Sequence, residues 1–182
     1  MASDPVSDPA FVAGMAETVS AMRELCRAAG DASGRHGHQP SARSVAMADI
    51  AREARYIAMW GDNWPTPVQD AHTFGGMTLT AATDFGLCYA DLFDGERAPV
   101  YGHLALARAG LEACVVSSWL TDPRSDTEER LKRALCEQIY SGWEMRRLSI
   151  DEGQASANVG RYVGCAEKWV GMYDRLAVGS RR

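Results

Sequence analysis

The chain has 182 residues, of which 46% are hydrophobic and 24% charged, and its net charge is −5. This length favours one globular domain, and the mild acidity without a basic block argues against nucleic-acid binding as the main function. No apolar run approaches the roughly 20 residues of a membrane span, and the N-terminus shows no export signal. We therefore expect a cytoplasmic protein with a single domain over residues 1–182 and flexible tails at 1–9 and 178–182.

Helical periodicity recurs along the chain, and no segment shows the alternation that is typical of a strand. Capping signals mark several helix starts: Pro9 follows a capping side chain, and capping boxes begin at Thr66 and at Ser125. The predicted helical segments are residues 9–30, 41–60, 66–93, 99–120, 125–148 and about 157–177, with a loop at 31–40.

The segment from Pro99 to Leu120 is apolar on nearly every side, although it contains charged residues. This pattern is typical of a buried central helix, in which charges are paired or functional. We therefore predict an all-α, single-domain antiparallel bundle of about six helices around the buried central helix 99–120.

At about 100° per residue, this central segment has two different faces. One face carries Arg108, Glu112 and Trp119, and we expect it to be buried. Three interpretations of it remain open, one of which is simple exposure of the pair to solvent. Arg108 and Glu112 form a structural i,i+4 ion pair that ties neighbouring helices, or they form the polar floor of a pocket with Trp119 as a wall. In the second case Arg108 grips an anionic or carbonyl group and Glu112 acts as acid or base.

His103 lies on the other face among small residues, which indicates close packing of another helix. It is either a hydrogen-bonded core histidine or a third catalytic residue. Arg130 lies beside the apolar stripe of the fifth helix, and it either reaches the Arg108/Glu112 pair or lies on a solvated flank of its helix. Arg133 is expected to point away from that stripe. The candidate catalytic residues are Glu112, Arg108 and His103, and the candidate substrate-binding residues are Trp119, Arg130, Tyr101 and Asp84.

Neither a metal nor a cofactor is predicted. The spacings Glu-x-x-His and His-Glu-x-x-His, typical of bundle metal sites, do not occur, and no glycine-rich phosphate loop is present. The five cysteines contain no Cys-x-x-Cys pair and lie in apolar helical patterns, so we expect buried free thiols in a reducing cytoplasm. They are Cys26, Cys88, Cys114, Cys136 and Cys165.

The middle of the chain also carries a distinctive combination of spaced residues: His103-x4-Arg108-x3-Glu112, Trp119-Leu120-x-Asp122-Pro123 and Glu129-Arg130-x2-Arg133. Over residues 99–148 it resembles a group of all-helical proteins of high-GC bacteria. The resemblance implies that these positions act together on an αα-hairpin, and it implies no reaction. A second likeness is to HEPN-type ribonuclease-toxin domains, which carry Arg-x4-His. Here the order is reversed, which argues against ribonuclease activity.

These observations lead to two hypotheses about function. The first is a metal-independent, small-molecule-binding protein, an enzyme of the acid/base, cyclisation or isomerisation type acting on a small organic metabolite. The alternative is a non-catalytic interaction or regulatory module, or a HEPN-like defence ribonuclease with a degenerate motif. Neither a membrane nor a nucleic acid is expected as partner. A homodimer is compatible with both hypotheses, since the seams of the first and last helices are available for a dimer face.

Overall fold

The computed structural model describes residues 9–36, 40–61, 64–93, 101–151 and 156–179. Within these ranges the regular structure is helical and contains no strand, which confirms the predicted all-α bundle. The described helices are α1 (Pro9–His36), α2 (Val45–Ile50), α3 (Glu53–Trp60), α4 (Pro67–Leu92), α5 (Gly102–Leu120), α6 (Thr127–Asp151) and α7 (Ser156–Gly179). None of the helices in these ranges is both long and apolar enough to cross a membrane.

Two predicted helix boundaries are wrong. Helix α1 continues past Gly30 to His36, because glycine weakens a helix without stopping it and no proline follows in this stretch. The predicted helix 41–60 is two helices, α2 and α3. The break follows Ile50, where the amide of Arg52 bonds to the carbonyl of Asp49 at 2.8 Å in a tighter turn.

Helix α4 starts at Pro67 as predicted, but a different side chain caps it. The carboxylate of Glu53 in α3 accepts the amide hydrogens of Val68 at 3.1 Å and Gln69 at 3.2 Å. These amides are among those that a helix start leaves without a partner, so Glu53 replaces the predicted local capping box. Helix α6 is likewise capped by Asp126, which accepts the amide of Glu129 at 2.8 Å, and not by Ser125.

The chain divides into two compact units, each built from two separate stretches. The first unit contains residues 1–40 and 75–118, and the second contains residues 41–74 and 119–182. Helices α4 and α5 therefore contribute to both units. The prediction of a single domain stays a prediction, and residues 1–8 and 180–182 of the predicted tails lie outside the described ranges.

Small residues bring the helices of the first unit close together. A Cβ on Gly110 of α5 would lie 3.4 Å from the Cβ of Phe85 in α4, and a Cβ on Gly86 would lie 2.6 Å from the Cys26 sulfur in α1. Ser117 of α5 is buried and donates a hydrogen bond of 3.0 Å to the Gly75 carbonyl. These contacts fix which side of α5 faces α4.

The second unit has a core of aromatic and aliphatic side chains. Trp60 and Trp64 are buried with ring centroids 5.2 Å apart, and Trp64 meets the edge of Trp169 at 5.0 Å. Helices α6 and α7 pack closely, because a Cβ on Gly142 would lie only 3.2 Å from the Cβ of Ala166. The fully buried aliphatic residues of this pair include Leu131, Leu135, Met172 and Leu176.

The α6–α7 contact gives a first prediction. Gly142→Leu should lower the free energy of unfolding by about 1–3 kcal/mol, because the larger side chain must push Ala166 and its helix away. Chemical denaturation measures the change. Gly164→Leu is the control, since no atom lies within 4 Å of a Cβ at that position. An equal loss in both variants would contradict the close approach at Gly142.

Candidate functional site

The face of α5 that carries Arg108 and Glu112 is exposed, so the expectation of a buried face is wrong. The two side chains form an i,i+4 ion pair of 2.7 Å between Nε and Oε1, and they are 80% and 62% exposed. The hydrogen bond to Glu112 raises the pKa of Arg108. Leu111, at 67% exposure, and Val115 lie on the same outward face. Helix α5 is therefore not a central helix buried on all sides, and residues 99 and 100 of the predicted segment lie outside the described ranges.

The small residues on the opposite face explain this orientation. Gly110 and Ser117 pack against α4, so the side with the smallest residues faces inward, and Leu104, Leu111 and Val115 face outward. The predicted close packing beside His103 is confirmed for this face. His103 itself is half-buried, with its ring centroid 6.1 Å from that of Phe93.

The predicted site residues do not all share one environment. Tyr101, just before α5, and Asp84 of α4 are exposed. Arg108 and Glu112 form a hydrogen bond with each other. Their catalytic assignment stays a prediction, but the burial on which the pocket interpretation depended is not there.

Trp119 belongs to the second unit, and its ring is covered by an arginine. The guanidinium of Arg133 lies 5.6 Å from the Trp119 ring centroid and donates a 2.6 Å hydrogen bond to the Trp119 carbonyl. The prediction that Arg133 points away is therefore wrong. Its position is held by Glu129, one turn earlier in α6, at 3.0 Å.

A buried polar cluster in the second unit centres on Asp49 of α2. One carboxylate oxygen accepts a 2.6 Å hydrogen bond from the hydroxyl of Thr127, and the other contacts Arg130 Nε and His72 Nε2, each at 3.0 Å. Thr127 in turn accepts a 2.9 Å hydrogen bond from Arg52. The cluster connects α2, α4 and α6 through a single carboxylate.

Arg130 is only 2% exposed, so neither a solvated flank nor a free substrate-binding group describes it. Beyond Asp49, Nη1 donates to the carbonyls of Leu120 and Asp122, each at 3.1 Å, and Nη2 donates to that of Ser125 at 3.0 Å. Four hydrogen bonds occupy most of the five donors of the guanidinium. Arg130 therefore binds the end of α5 and the following turn, which is a structural role.

Electrostatics keeps this cluster in one protonation state near neutral pH. Burial alone would raise the pKa of Asp49, but hydrogen bonds from Thr127, Arg130 and His72 outweigh it, so the pKa lies below its usual value. Burial lowers the pKa of His72, and nearby Arg130 lowers it further, against the opposing effect of Asp49. His72 is thus neutral at pH 7, and its Nε2–H donates to the Asp49 carboxylate.

Sequence reasoning identified Arg130 but missed its partners. Asp49 and His72 are 23 positions apart, and Asp49 and Arg130 are 81 apart, so no local spacing joins them. One signal in the sequence could have indicated the cluster. Asp49 lies beside the apolar residues of a helix, and a charge that is buried there requires a partner.

In the part that the structure describes, no three His, Cys, Asp or Glu side chains are grouped so as to hold a metal ion. No protein-family model, curated protein or solved structure matches this chain. The resemblance of residues 99–148 to all-helical bacterial proteins therefore stays a prediction.

The second prediction concerns the Asp49–Arg130 pair. Arg130→Met should lower the free energy of unfolding by about 3–5 kcal/mol, because it leaves the Asp49 carboxylate buried without its cation. Denaturant titration measures the loss. Arg124→Met is the control, since Arg124 is 88% exposed and bonds only to neighbouring Asp122. A similar loss in both would contradict the assigned role.

The third prediction concerns pH. The pKa of His72 is lower in the folded chain than its ordinary value of 6.5, so the unfolded chain binds a proton first as the pH falls. Stability should therefore decrease below about pH 6.5, and again below the ordinary Asp pKa of 3.8 as Asp49 approaches protonation. Urea denaturation across this range should show the first decrease in the native chain but not in His72→Gln. A pH-independent difference between the two proteins would contradict it.

Proposed function

We propose that this protein is a non-catalytic interaction module that binds a helix of a protein partner along the outward face of α5. The observation that supports this most is a row of exposed apolar residues on a helix whose opposite side is packed. Leu104, Leu111 and Val115 are all more than half exposed. Together with Arg108 and Glu112 they define what we call the α5 seam.

The spacing of the seam suits a second helix. Leu104, Arg108, Leu111 and Val115 follow one another at intervals of four, three and four residues. This is the a/d pattern of two packed helices, in which side chains of one helix fit between those of the other. The exposed Tyr101 extends the pattern by three residues toward the N-terminus.

The charges on the seam define the chemistry of the partner. Arg108 requires a carboxylate opposite it and Glu112 requires a cation, with apolar side chains on either side. Their bond within α5 is easily exchanged, because an exposed ion pair contributes little to stability. The order Arg then Glu along a helix is also the less favourable one. A partner helix with both charges can therefore take over these two side chains.

The metabolite-binding hypothesis required the same pair to be buried. An acid/base or anion-binding site uses a low-dielectric environment to strengthen its electrostatic interactions. Arg108 and Glu112 are in contact with bulk water, so they lack that environment. The exposure of Arg108 and Glu112 therefore favours the interaction module over the pocket.

We infer a cytoplasmic setting for this module. Four described cysteines are free, and three of them, Cys88, Cys114 and Cys136, are exposed, so the expectation of buried thiols is wrong for these three. Exposed free thiols suit a compartment that keeps them reduced. The side chain of Cys165 lies outside the described part.

The fourth prediction tests the seam directly. A photo-crosslinking amino acid in place of Leu111 should give one discrete protein adduct when the protein is irradiated in the cells that make it. Mass spectrometry of the adduct should map the crosslink to a helical segment with an apolar face that carries both charge signs. Adding Val115→Glu, which places a charge in the seam, should abolish the adduct.

Leu25 provides the control position for this experiment. It is 71% exposed on α1 and does not belong to the seam. The same adducts from both positions, or none from Leu111, would contradict the proposed function.

A further inference from the structure

We infer that the helix bound by the α5 seam is α5 of a second copy of this chain, packed antiparallel across a two-fold axis. The inference rests on the proposed function and names its partner. It is supported by the order of residues along the seam. When two copies of the seam run in opposite directions, each charge lies level with an opposite charge and the apolar residues lie level with apolar residues.

The two charges are placed symmetrically about one residue. Arg108 lies two positions before Gly110 and Glu112 two positions after it. When two copies of α5 run antiparallel with an axis level with Gly110, Arg108 of one copy stands level with Glu112 of the other. The symmetry repeats this pair on the other side of the axis, so both exposed charges of each copy gain an opposite charge.

The apolar residues follow the same symmetry. Leu111 lies one position from the axis, so the two copies of Leu111 meet near it. Leu104 lies six positions before Gly110 and Val115 five positions after it, so Leu104 of one copy lies within about 1.5 Å along the axis of Val115 of the other. The seam is thus apolar at both ends and at its centre, with the ion pairs in between.

The charges also exclude the other orientation. In a parallel pair with the same register, Arg108 would face Arg108 and Glu112 would face Glu112. The antiparallel arrangement replaces two like-charge contacts with two opposite-charge contacts, and it sets the two helix dipoles against each other favourably. Glu112 and Arg108 therefore specify both the partner and its direction.

Sedimentation equilibrium of the purified full chain, over a range of concentrations, tests the inference. The unmodified chain, of 19.8 kDa, should reach twice that mass as the concentration rises. Arg108→Glu and Glu112→Arg should each weaken the dimer by at least about tenfold, because each places two like-charge pairs across the axis. Both residues are exposed, so circular dichroism should show unchanged folding in each.

Charge exchange makes the test specific for this geometry. Mixing the two single variants should restore association, as a heterodimer in which every 108 position faces an opposite charge at 112. The double variant Arg108→Glu/Glu112→Arg should also dimerise. Arg124→Glu, a reversal of an exposed arginine outside the seam, should leave the dimer unchanged.

Two results would overturn the inference. One is a chain that stays monomeric at every concentration. The other is a dimer whose dissociation constant is the same in the unmodified chain and in the two single charge-reversal variants. If either result comes with a crosslink from Leu111 to a different protein, the interaction module stands and only the second copy is rejected. If Leu111 gives no specific crosslink either, both proposals fall.

Discussion

The second unit depends on the carboxylate of Asp49, which is almost completely buried and must find its partners inside the protein. Arg130 supplies the opposite charge at 3.0 Å, and Thr127 and His72 supply hydrogen bonds. The same guanidinium also binds the carbonyl at the end of α5. One buried charge pair therefore sets the positions of α2, α4, α6 and the turn before α6, and the apolar core is assembled around this arrangement.

The contact between α4 and α5 in the first unit is organised by residue size. Gly110 and Ser117 lie where α5 approaches α4. A Cβ on Gly110 would be 3.4 Å from the Cβ of Phe85, and Ser117 donates a hydrogen bond to the Gly75 carbonyl. Three of the larger apolar residues of α5 are therefore left on the outside. A face that carries Leu104, Leu111 and Val115 in contact with water is unfavourable, and the association proposed for α5 would remove that exposure.

Much of the fold could be predicted from the sequence. The helical class and the start of α4 follow from local patterns, which depend on residues close together in the chain. The direction in which α5 faces could not be predicted this way. Its two sides are about equally apolar, and the choice between them depends on the glycine and serine contacts with α4. From the sequence, the side with Arg108 and Glu112 was expected to face inward, whereas the side with the small residues does so.

The buried cluster escaped prediction for a related reason. Arg130 was a candidate because it flanks an apolar stripe, but its partner Asp49 lies 81 positions earlier and on a different helix. Nothing in a single sequence joins two residues across that separation. The capping of α4 by Glu53 is a smaller case, since the expected cap was adjacent and the real one comes from the preceding helix.

The division of the second unit into residues 41–74 and 119–182 has a consequence for synthesis. Asp49 leaves the ribosome long before Arg130, and the whole 75–118 stretch is made in between. The second unit therefore cannot complete its core during that interval, because Arg130 of α6 and Trp169 of α7, which contact Asp49 and Trp64, are made later. The order of translation thus places the completion of this half of the chain after the synthesis of both α6 and α7.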